Sequence, residues 1–163
     1  MNTPLPSEFI ERIHNQISDS DDFAVAMQSN SPISVRFNSK KRELVTTSPF
    51  NGKPVTWCKE GLYLNARPAF GHDPNYHAGL YYPMEASSMF LEFVLDQIPL
   101  PKNSVILDLC AAPGGKTLIL KDHYPDHLLV SNEIVRDRAF IVKENAMRWG
   151  TNNHFTDSPA DYQ

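Results

Sequence analysis

Residues 105–117 read VILDLCAAPGGKT, and this stretch decides the fold of the second half of the chain. The apolar run at 105–109 is typical of a buried strand, and the small residues at 111–115 predict a tight turn. Lys116 begins a pattern typical of a helix. Backbone N–H groups of such a turn and the helix N-terminus offer partial positive charge, and small residues let a ligand approach the backbone. The stretch therefore predicts a cradle for a nucleotide-like cofactor.

The alternation of strand and helix continues downstream. The sequence predicts a helix at 116–124, a strand at 128–133 and a helix at 135–149 that Gly150 closes at its C′ position. Residues 153–156 are typical of the start of a third strand. This order predicts the first βαβαβ half of a doubly wound, Rossmann-like α/β sheet. Because a three-stranded half-sheet is unusual by itself, we expect either a truncated chain or a partner that completes it.

Three ligand classes compete for the turn. A P-loop needs glycine at position 110, where this chain has Cys110, and no GxGxxG fingerprint occurs near the turn. A turn for S-adenosylmethionine (SAM) typically has an acidic residue at the end of the first strand and another at the end of the second. Asp108 and Glu133 stand at those places, 25 residues apart. The turn therefore favours SAM, and the alternative is a tight connection that binds nothing.

Residues 1–80 have a different pattern of apolar residues, which predicts a small α+β module ahead of the α/β half at 81–163. Apolar residues recur there first at helical and then at strand spacing, with many Pro, Gly and aromatic residues between. The elements expected are a helix capped by Ser7, a second helix after residues 19–22, a strand at 33–37, short strands near 56–57 and 62–64, and then a helix at 86–98.

Composition excludes several classes of protein. The chain has 163 residues, of which 41% are hydrophobic and 21% charged, and it has two cysteines. Two cysteines without a CxxC pair exclude a disulfide scaffold and a zinc ribbon. His72 and His77 lack a firm third ligand, so no metal is expected. No apolar run approaches the ~18–20 residues of a membrane span, and no signal peptide opens the chain, so the cytoplasm is the expected location.

Charge is distributed unevenly along the chain. The net charge of −4 by itself argues against nucleic-acid binding, but residues 31–70 carry seven basic side chains against two acidic ones. Such a basic belt is suited to a phosphate backbone, and the alternative is an ordinary solvated surface. The polar face of the strand at 33–37 is expected to be available to a ligand. The residues expected to contact RNA are Arg36, Lys40, Lys41 and Arg42.

Several stretches resemble the NOL1/NOP2/Sun family of RNA cytosine-5 methyltransferases. DLCAAPGGKT closely resembles its motif I, and GLYYPMEASSM resembles the segment before the cofactor strand, with Met84 where glutamine is typical. NEIVRDRAFIVKENAMRWG resembles the second motif, including the ending Asn-x-x-Arg-x-Gly. LPSEFIERI and PISVRFNSKK resemble the N-terminal module of the bacterial ribosomal-RNA branch, so the resemblance covers nearly the whole chain.

The resemblance implies a class I SAM-dependent methyltransferase that acts on RNA, with 16S ribosomal RNA as the expected substrate. The loop would wrap the methionine part of SAM, Glu133 would hold the ribose, and Asp157, with Asp161 as the alternative, would lie near the adenine. Lys116 would also reach toward the target base. The residues that it assigns to the cofactor are Cys110, Ala111, Ala112, Pro113, Gly114, Gly115, Lys116, Glu133 and Asp157.

The nucleophile of this chemistry is absent from the 163 residues. Methylation of cytosine C5 needs a cysteine thiolate that adds to C6, and the family's two cysteines follow Asp-Ala-Pro and Thr in motifs that this sequence does not contain. Cys110 is expected to be a small buried residue beside the cofactor, and Cys58 a partly buried thiol. We therefore expect an inactive N-terminal portion whose nucleophile lies C-terminal to Gln163. The alternatives are a short non-catalytic RNA-binding protein and, less favoured, a nucleoside-triphosphate binder.

Overall fold

The computed structural model describes residues 4–44, 50–152 and 154–158. Within these ranges no helix is long and apolar enough to cross a membrane. The elements in chain order are α1 (Ser7–His14), α2 (Ser20–Gln28), β1 (Ile33–Phe37), a 3-10 helix (Ser39–Leu44), β2 (Gly52–Pro54), β3 (Gly61–Leu64), a second 3-10 helix (Phe70–His72), α3 (Pro74–His77), β4 (Tyr81–Pro83), α4 (Ala86–Leu95), β5 (Val105–Asp108), α5 (Gly115–His123), β6 (Leu128–Asn132), α6 (Arg136–Trp149) and β7 (His154–Asp157).

The chain divides into two compact units, Met1–Pro32 and Ile33–Gln163. The first unit contains α1 and α2, the two helices that the sequence predicts there. Ser7 is already helical and makes no side-chain cap, so the expected serine cap is wrong, because the residue before it takes the N-cap position. Ile13 is the buried residue of α1. The domain boundary expected near residue 80 stays a prediction.

An antiparallel sheet with strand order β2-β3-β1-β4 begins the second unit. β1 is central, with β3 on one side and β4 on the other. The strand expected at 56–57 is wrong. These residues lie in a tight turn, because the N–H of Val55 donates to the carbonyl of Gly61 at 3.0 Å and that of Cys58 donates to Val55 at 3.2 Å. The strand that pairs with the other side of β3 is β2, which ends at Pro54, before this turn.

A parallel sheet with strand order β5-β6-β7 follows, which confirms the predicted βαβαβ half. Gly150 ends α6 in the left-handed conformation at φ 83°, as expected. The expectation of a fully buried strand at 105–109 is wrong, since Val105, Leu107 and Leu109 are between 60% and 65% exposed. β5 is an edge strand, and only its other face, with Ile106, packs against the core.

The polar face of β1 is buried, and Arg36 lies at the centre of that face. The guanidinium is 3% exposed, and its Nη1 donates to Asp122 of α5 at 2.5 Å while Nη2 donates to Glu92 of α4 at 3.1 Å. Glu92 also accepts from the Cys58 thiol at 3.2 Å, and Asp122 also accepts from the Trp149 indole N–H at 2.9 Å. Arg36 therefore joins the two sheets through their helices, which corrects the expectation that it faces RNA.

Two further side chains from this region cap the end of α6. Asn38 is fully buried and donates to the carbonyl of Trp149 at 2.8 Å. The ammonium of Lys41 donates to the carbonyls of Arg148 and Ala78, both at 2.8 Å. The last carbonyls of a helix have no partner within the helix, so donors from elsewhere stabilise its end. Lys41 is thus part of the fold, which corrects its assignment to RNA.

We predict that Arg36→Met lowers the free energy of unfolding by about 3–5 kcal/mol, because it leaves two carboxylates without their buried cation. Urea unfolding followed by circular dichroism measures this change. The control is Lys40→Met, because Lys40 is exposed and its replacement should stay within about 0.5 kcal/mol of the wild type. A loss below about 1 kcal/mol for Arg36→Met would contradict the structural role of this ion cluster.

Candidate cofactor site

The predicted turn forms a tight loop between β5 and α5. The N–H of Gly114 donates to the carbonyl of Ala111 at 2.7 Å, and the N–H of Ala111 donates to Asn132 of β6 at 3.0 Å. Gly114 is the N-cap of α5 and has a φ of 109°. The loop thereby presents its backbone at the carboxyl edge of the parallel sheet, beside the first turn of a helix, where polar ligands are favoured.

Gly114 is required for the backbone conformation of the loop. Its positive φ is a conformation that residues with a side chain rarely adopt. A Cβ placed on it would lie 3.6 Å from the Cα of Val142 and 3.7 Å from the Cβ of Asn145, so it would point at α6. These are ordinary van der Waals distances, so the requirement for glycine comes from the positive φ and not from a lack of space.

Asp108 at the end of β5 fixes the start of α5. Its carboxylate accepts a hydrogen bond of 2.6 Å from the hydroxyl of Thr117, which is fully buried. Ser131 of β6 donates to that hydroxyl at 3.4 Å, and the Nε2 of His154 of β7 lies 2.9 Å from the oxygen of Ser131. Burial, followed by the charge of Lys121, lowers the pKa of His154. A chain of polar contacts therefore crosses all three parallel strands beneath the loop.

Glu133 directly follows β6 and is 5% exposed. Its Oε1 accepts from the N–H of Val135 at 3.1 Å, and its Oε2 lies 3.7 Å from Nη1 of Arg138. The hydrogen bond from Val135 is the largest contribution that lowers the pKa of Glu133 below its ordinary value, and the charge of Arg138 adds to it. Glu133 is therefore ionised at neutral pH and suited to accept hydrogen bonds from hydroxyl groups.

Asp157 lies at the same edge of the sheet as Glu133. It is the last residue of β7 and pairs in register with Asn132, and the N–H of Glu133 donates to its carbonyl at 3.1 Å. The structure thus brings two carboxylates that are 24 positions apart to neighbouring strand ends. Asp161, the alternative for the adenine side, lies outside the described residues.

A cavity of about 340 Å³ opens between the loop and the start of α4. Cys110 lines it and is exposed, so the expectation of a buried thiol at this position is wrong. Lys116 lines the same cavity and is exposed, whereas Met84, which stands where the family has glutamine, is buried. The other residues around the cavity are Tyr82, Pro83, Glu85, Ser88, Ala111, Ala112, Pro113 and Gly115.

Of the four basic residues assigned to RNA, Arg36 is buried and Lys41 is half-buried, whereas Lys40 and Arg42 are exposed. Arg36 and Lys41 are used inside the fold, as described above. The guanidinium of Arg42 forms an ion pair with Glu60 and lies 5.8 Å from the ring centre of Phe37. Lys40 is exposed. Sequence charge alone does not distinguish a solvated cation from one that another chain segment neutralises.

The remaining candidate groups have structural partners. Cys58, expected to be partly buried, is fully buried. Burial together with Glu92 raises the pKa of its thiol to about 11, so it is protonated and a poor nucleophile. The Nε2 of His77 lies 2.8 Å from the carbonyl of Gly71, and Asp73 accepts from the Asn75 N–H at 2.9 Å as the N-cap of α3. Among the described residues no group of three possible ligands is placed to hold a metal ion.

Two side chains that the sequence analysis left without a role contact the loop. Asn145 donates from Nδ2 to the carbonyl of Pro113 at 2.7 Å, and Arg138 donates to that of Ala112 at 3.3 Å. Asn145 belongs to the Asn-x-x-Arg-x-Gly ending, and this motif was the only feature of the sequence that pointed to a role for Asn145. Its hydrogen bond could not be predicted, because the two residues are 32 positions apart and belong to different elements.

The parallel sheet, with its loop and carboxylates at the carboxyl edge of the strands, defines the class I fold of SAM-dependent methyltransferases. A methyltransferase homolog from Pyrococcus horikoshii has a similar structure, with a TM-score of 0.76 and 29% identity over 93% of this chain and 52% of its own. The NSun6 protein of the same organism, solved with the SAM analogue SFG, shares the fold at a TM-score of 0.70 and 15% identity, over 95% of this chain and 65% of its own.

Residues 5–86 match the N-terminal domain of 16S rRNA methyltransferase RsmF, and residues 97–160 match the family 16S rRNA methyltransferase RsmB/F. The chain belongs to this family of RNA methyltransferases, which use SAM. It is 33% identical to a tRNA (cytosine(49)-C(5))-methyltransferase from Pyrococcus abyssi and 29% identical to ribosomal RNA small subunit methyltransferase F from Erwinia tasmaniensis. These matches cover 90% and 91% of the chain but only 48% and 34% of the relatives, so the chain spans half of their length or less.

We predict that Gly114→Ala lowers the free energy of unfolding by about 1–3 kcal/mol, because alanine is strained at this positive φ. Urea unfolding measures the loss. Gly71→Ala is the matched control, since a Cβ at Gly71 would meet no atom within 4 Å and its φ is not positive. Equal stability of the two variants would contradict the strain assigned to the loop.

Proposed function

We propose that this chain binds SAM and supplies the cofactor-binding part of an RNA (cytosine-C5) methyltransferase that acts in the cytoplasm on the RNA of the small ribosomal subunit. The observation that carries the proposal is the loop at 110–116, which lies at the carboxyl edge of the sheet next to an ionised Glu133. The match of residues 5–86 to the RsmF N-terminal domain supports ribosomal RNA as the substrate. The relative from Pyrococcus abyssi makes tRNA the second candidate substrate.

Each part of the site suits one part of the cofactor. Residues 110–116 supply backbone donors and the start of α5 for the polar methionine end of SAM. Glu133 supplies a charged acceptor for the two ribose hydroxyls, and Asp157 lies on the adenine side. Lys116, exposed at the cavity, is placed to interact with the target base or its phosphate. Bound SAM would supply the methyl group.

The chain is proposed to bind SAM without carrying out methylation by itself. Addition to cytosine C6 needs a thiolate, and the sequence contains neither an Asp-Ala-Pro-Cys nor a Thr-Cys motif. Cys58 is buried with a pKa of about 11, and Cys110 belongs to the cofactor loop. The nucleophile is therefore assigned to a segment that belongs to the longer relatives and not to these 163 residues.

We assign RNA contact to residues 1–80 and cofactor binding to residues 81–163. The two family matches, which end at 86 and begin at 97, support this division. Five basic side chains within 31–70 are exposed, and one of them, Arg42, pairs with Glu60. The other four are the proposed RNA contacts: Lys40, Lys53, Lys59 and Arg67. A non-catalytic RNA-binding protein is the competing function, and it predicts RNA binding without SAM binding.

We expect isothermal titration calorimetry to detect SAM binding by the purified chain, and we expect Glu133→Gln to weaken it at least tenfold, because a neutral amide is a poorer acceptor for hydroxyl groups. Glu144→Gln, on the exposed side of α6, is the matched control and should leave the affinity unchanged. Undetectable SAM binding together with intact RNA binding would favour the competing function.

The same titration has an expected pH dependence. The fold lowers the pKa of Glu133 from its ordinary 4.5, so its carboxylate stays ionised at every pH above that value. SAM affinity should therefore be level from neutral pH down to the ordinary glutamate pKa and fall only when the pH passes below it. A loss of affinity centred clearly above pH 4.5 would show that a different group controls binding.

For RNA, we predict that replacing Lys40, Lys53 and Lys59 together by glutamate weakens binding and lowers the slope of log affinity against log salt by about 2, or roughly 0.7 per lost phosphate contact on single-stranded RNA. Fluorescence anisotropy at several salt concentrations measures the slope. Lys102→Glu, an exposed lysine outside the basic belt, is the control and should leave the slope as it is. An unchanged slope in the triple variant would remove the belt from the RNA interface.

A further inference from the structure

The carbonyl of Pro113, in the middle of the cofactor loop, is held by a side chain from another element. Nδ2 of Asn145 on α6 donates to it at 2.7 Å. Asn145 is 5% exposed, so water has little access to replace this hydrogen bond. A buried carbonyl that loses its donor is left without a hydrogen bond and without water to replace it, so the contact with Asn145 favours the observed position of the loop.

The orientation of the Asn145 amide is set from both ends. Its Oδ1 accepts from Nη2 of Arg148 at 2.5 Å, and its Nδ2 also approaches the hydroxyl of Tyr82 at 3.3 Å. The oxygen therefore faces the guanidinium and the nitrogen faces the loop. With the amide reversed, its oxygen would face the carbonyl of Pro113, and both contacts would be lost.

Arg148 is itself held by a residue of the antiparallel-sheet region. Its guanidinium carbon lies 4.4 Å from the ring centre of Tyr76, within the range of a cation–π interaction. Tyr76 belongs to α3 and packs beside Tyr81 of β4, with ring centres 6.0 Å apart. A continuous series of contacts thus runs from α3 through Arg148 and Asn145 to the cofactor loop.

We propose that Asn145 is a positioning residue for the cofactor loop, and that Arg148 and Tyr76 keep its amide in the orientation that the loop needs. The proposal rests on the proposed binding of SAM for its functional meaning. It assigns a physical role to two residues of the Asn-x-x-Arg-x-Gly ending: the asparagine holds the loop, and the arginine orients the asparagine.

Asn145→Asp is the sharpest test, because it keeps the size of the side chain and the acceptor for Arg148 but replaces the donor to Pro113 by a charged oxygen. We expect the hydrogen-bonded amides of the loop, those of Ala111 and Gly114, to exchange with deuterium about tenfold faster than in the wild type. SAM affinity should fall by about the same factor. Asn152→Asp, the same change at an exposed position beyond α6, is the control for both measurements.

Hydrogen exchange of the cofactor-free chain keeps the two proposals separate. If the wild type does not bind SAM, the proposed function fails, and the exchange of the loop amides still decides the role of Asn145. Unchanged loop exchange in Asn145→Asp would overturn the positioning role. Faster exchange spread evenly over the second unit would also overturn it, because that result describes a residue that stabilises only the core.

A second variant covers the case in which Asn145→Asp does not fold. Tyr76→Leu removes the ring beneath Arg148 and leaves Asn145 in place, and its side chain is only partly buried. We expect about threefold faster exchange, confined to the loop and the end of α6, and a smaller loss of SAM affinity than in Asn145→Asp. Loop exchange equal to that of the wild type would overturn the part of the proposal that assigns Arg148 and Tyr76.

Discussion

The ion cluster around Arg36 is the interaction on which the rest of the second unit depends. A guanidinium on β1 is surrounded by carboxylates from α4 and α5, and the Asp122 carboxylate also accepts from α6. Burial of charge is unfavourable unless each partner is satisfied, and here each carboxylate accepts a further hydrogen bond, Glu92 from Cys58 and Asp122 from Trp149. Because these partners come from distant parts of the chain, the cluster forms only when the antiparallel sheet and the α/β half are in their final arrangement.

α5 links this cluster to the cofactor site. Asp122 near its C-terminal end is held by Arg36, and Thr117 in its first turn is held by Asp108 at the end of β5. The helix that begins at the loop is therefore fixed at both ends by buried polar contacts. Because the loop is already ordered, ligand binding does not carry the entropic cost of ordering it. The position of the loop is consequently a property of the whole second unit and not of the motif alone.

The belt of basic residues shows why charge along a sequence is a weak guide to a surface. Lys41 caps α6, and Arg42, although exposed, forms an ion pair with Glu60, so both have partners within the fold, unlike an isolated surface cation. The tertiary structure determines which groups a cation contacts, and one of the two carbonyls that Lys41 contacts, that of Arg148, is 107 positions away. Surface assignments from composition therefore overcount the residues available to RNA, and the exposed subset is the one with physical meaning.

The sequence by itself determined the alternation of strands and helices after residue 100, the left-handed end of α6 at Gly150 and the family, because hydrophobic period, glycine chemistry and a long specific motif are local properties. Short strands without alternation were less predictable, and the strand expected at 56–57 proved to be a turn. Only the tertiary structure decided that Arg36 is buried, that Cys110 is exposed and that Asn145 holds Pro113. The burial or exposure of a side chain and its hydrogen-bond partner depend on which distant residues pack against it. Such contacts exist only once the chain has folded.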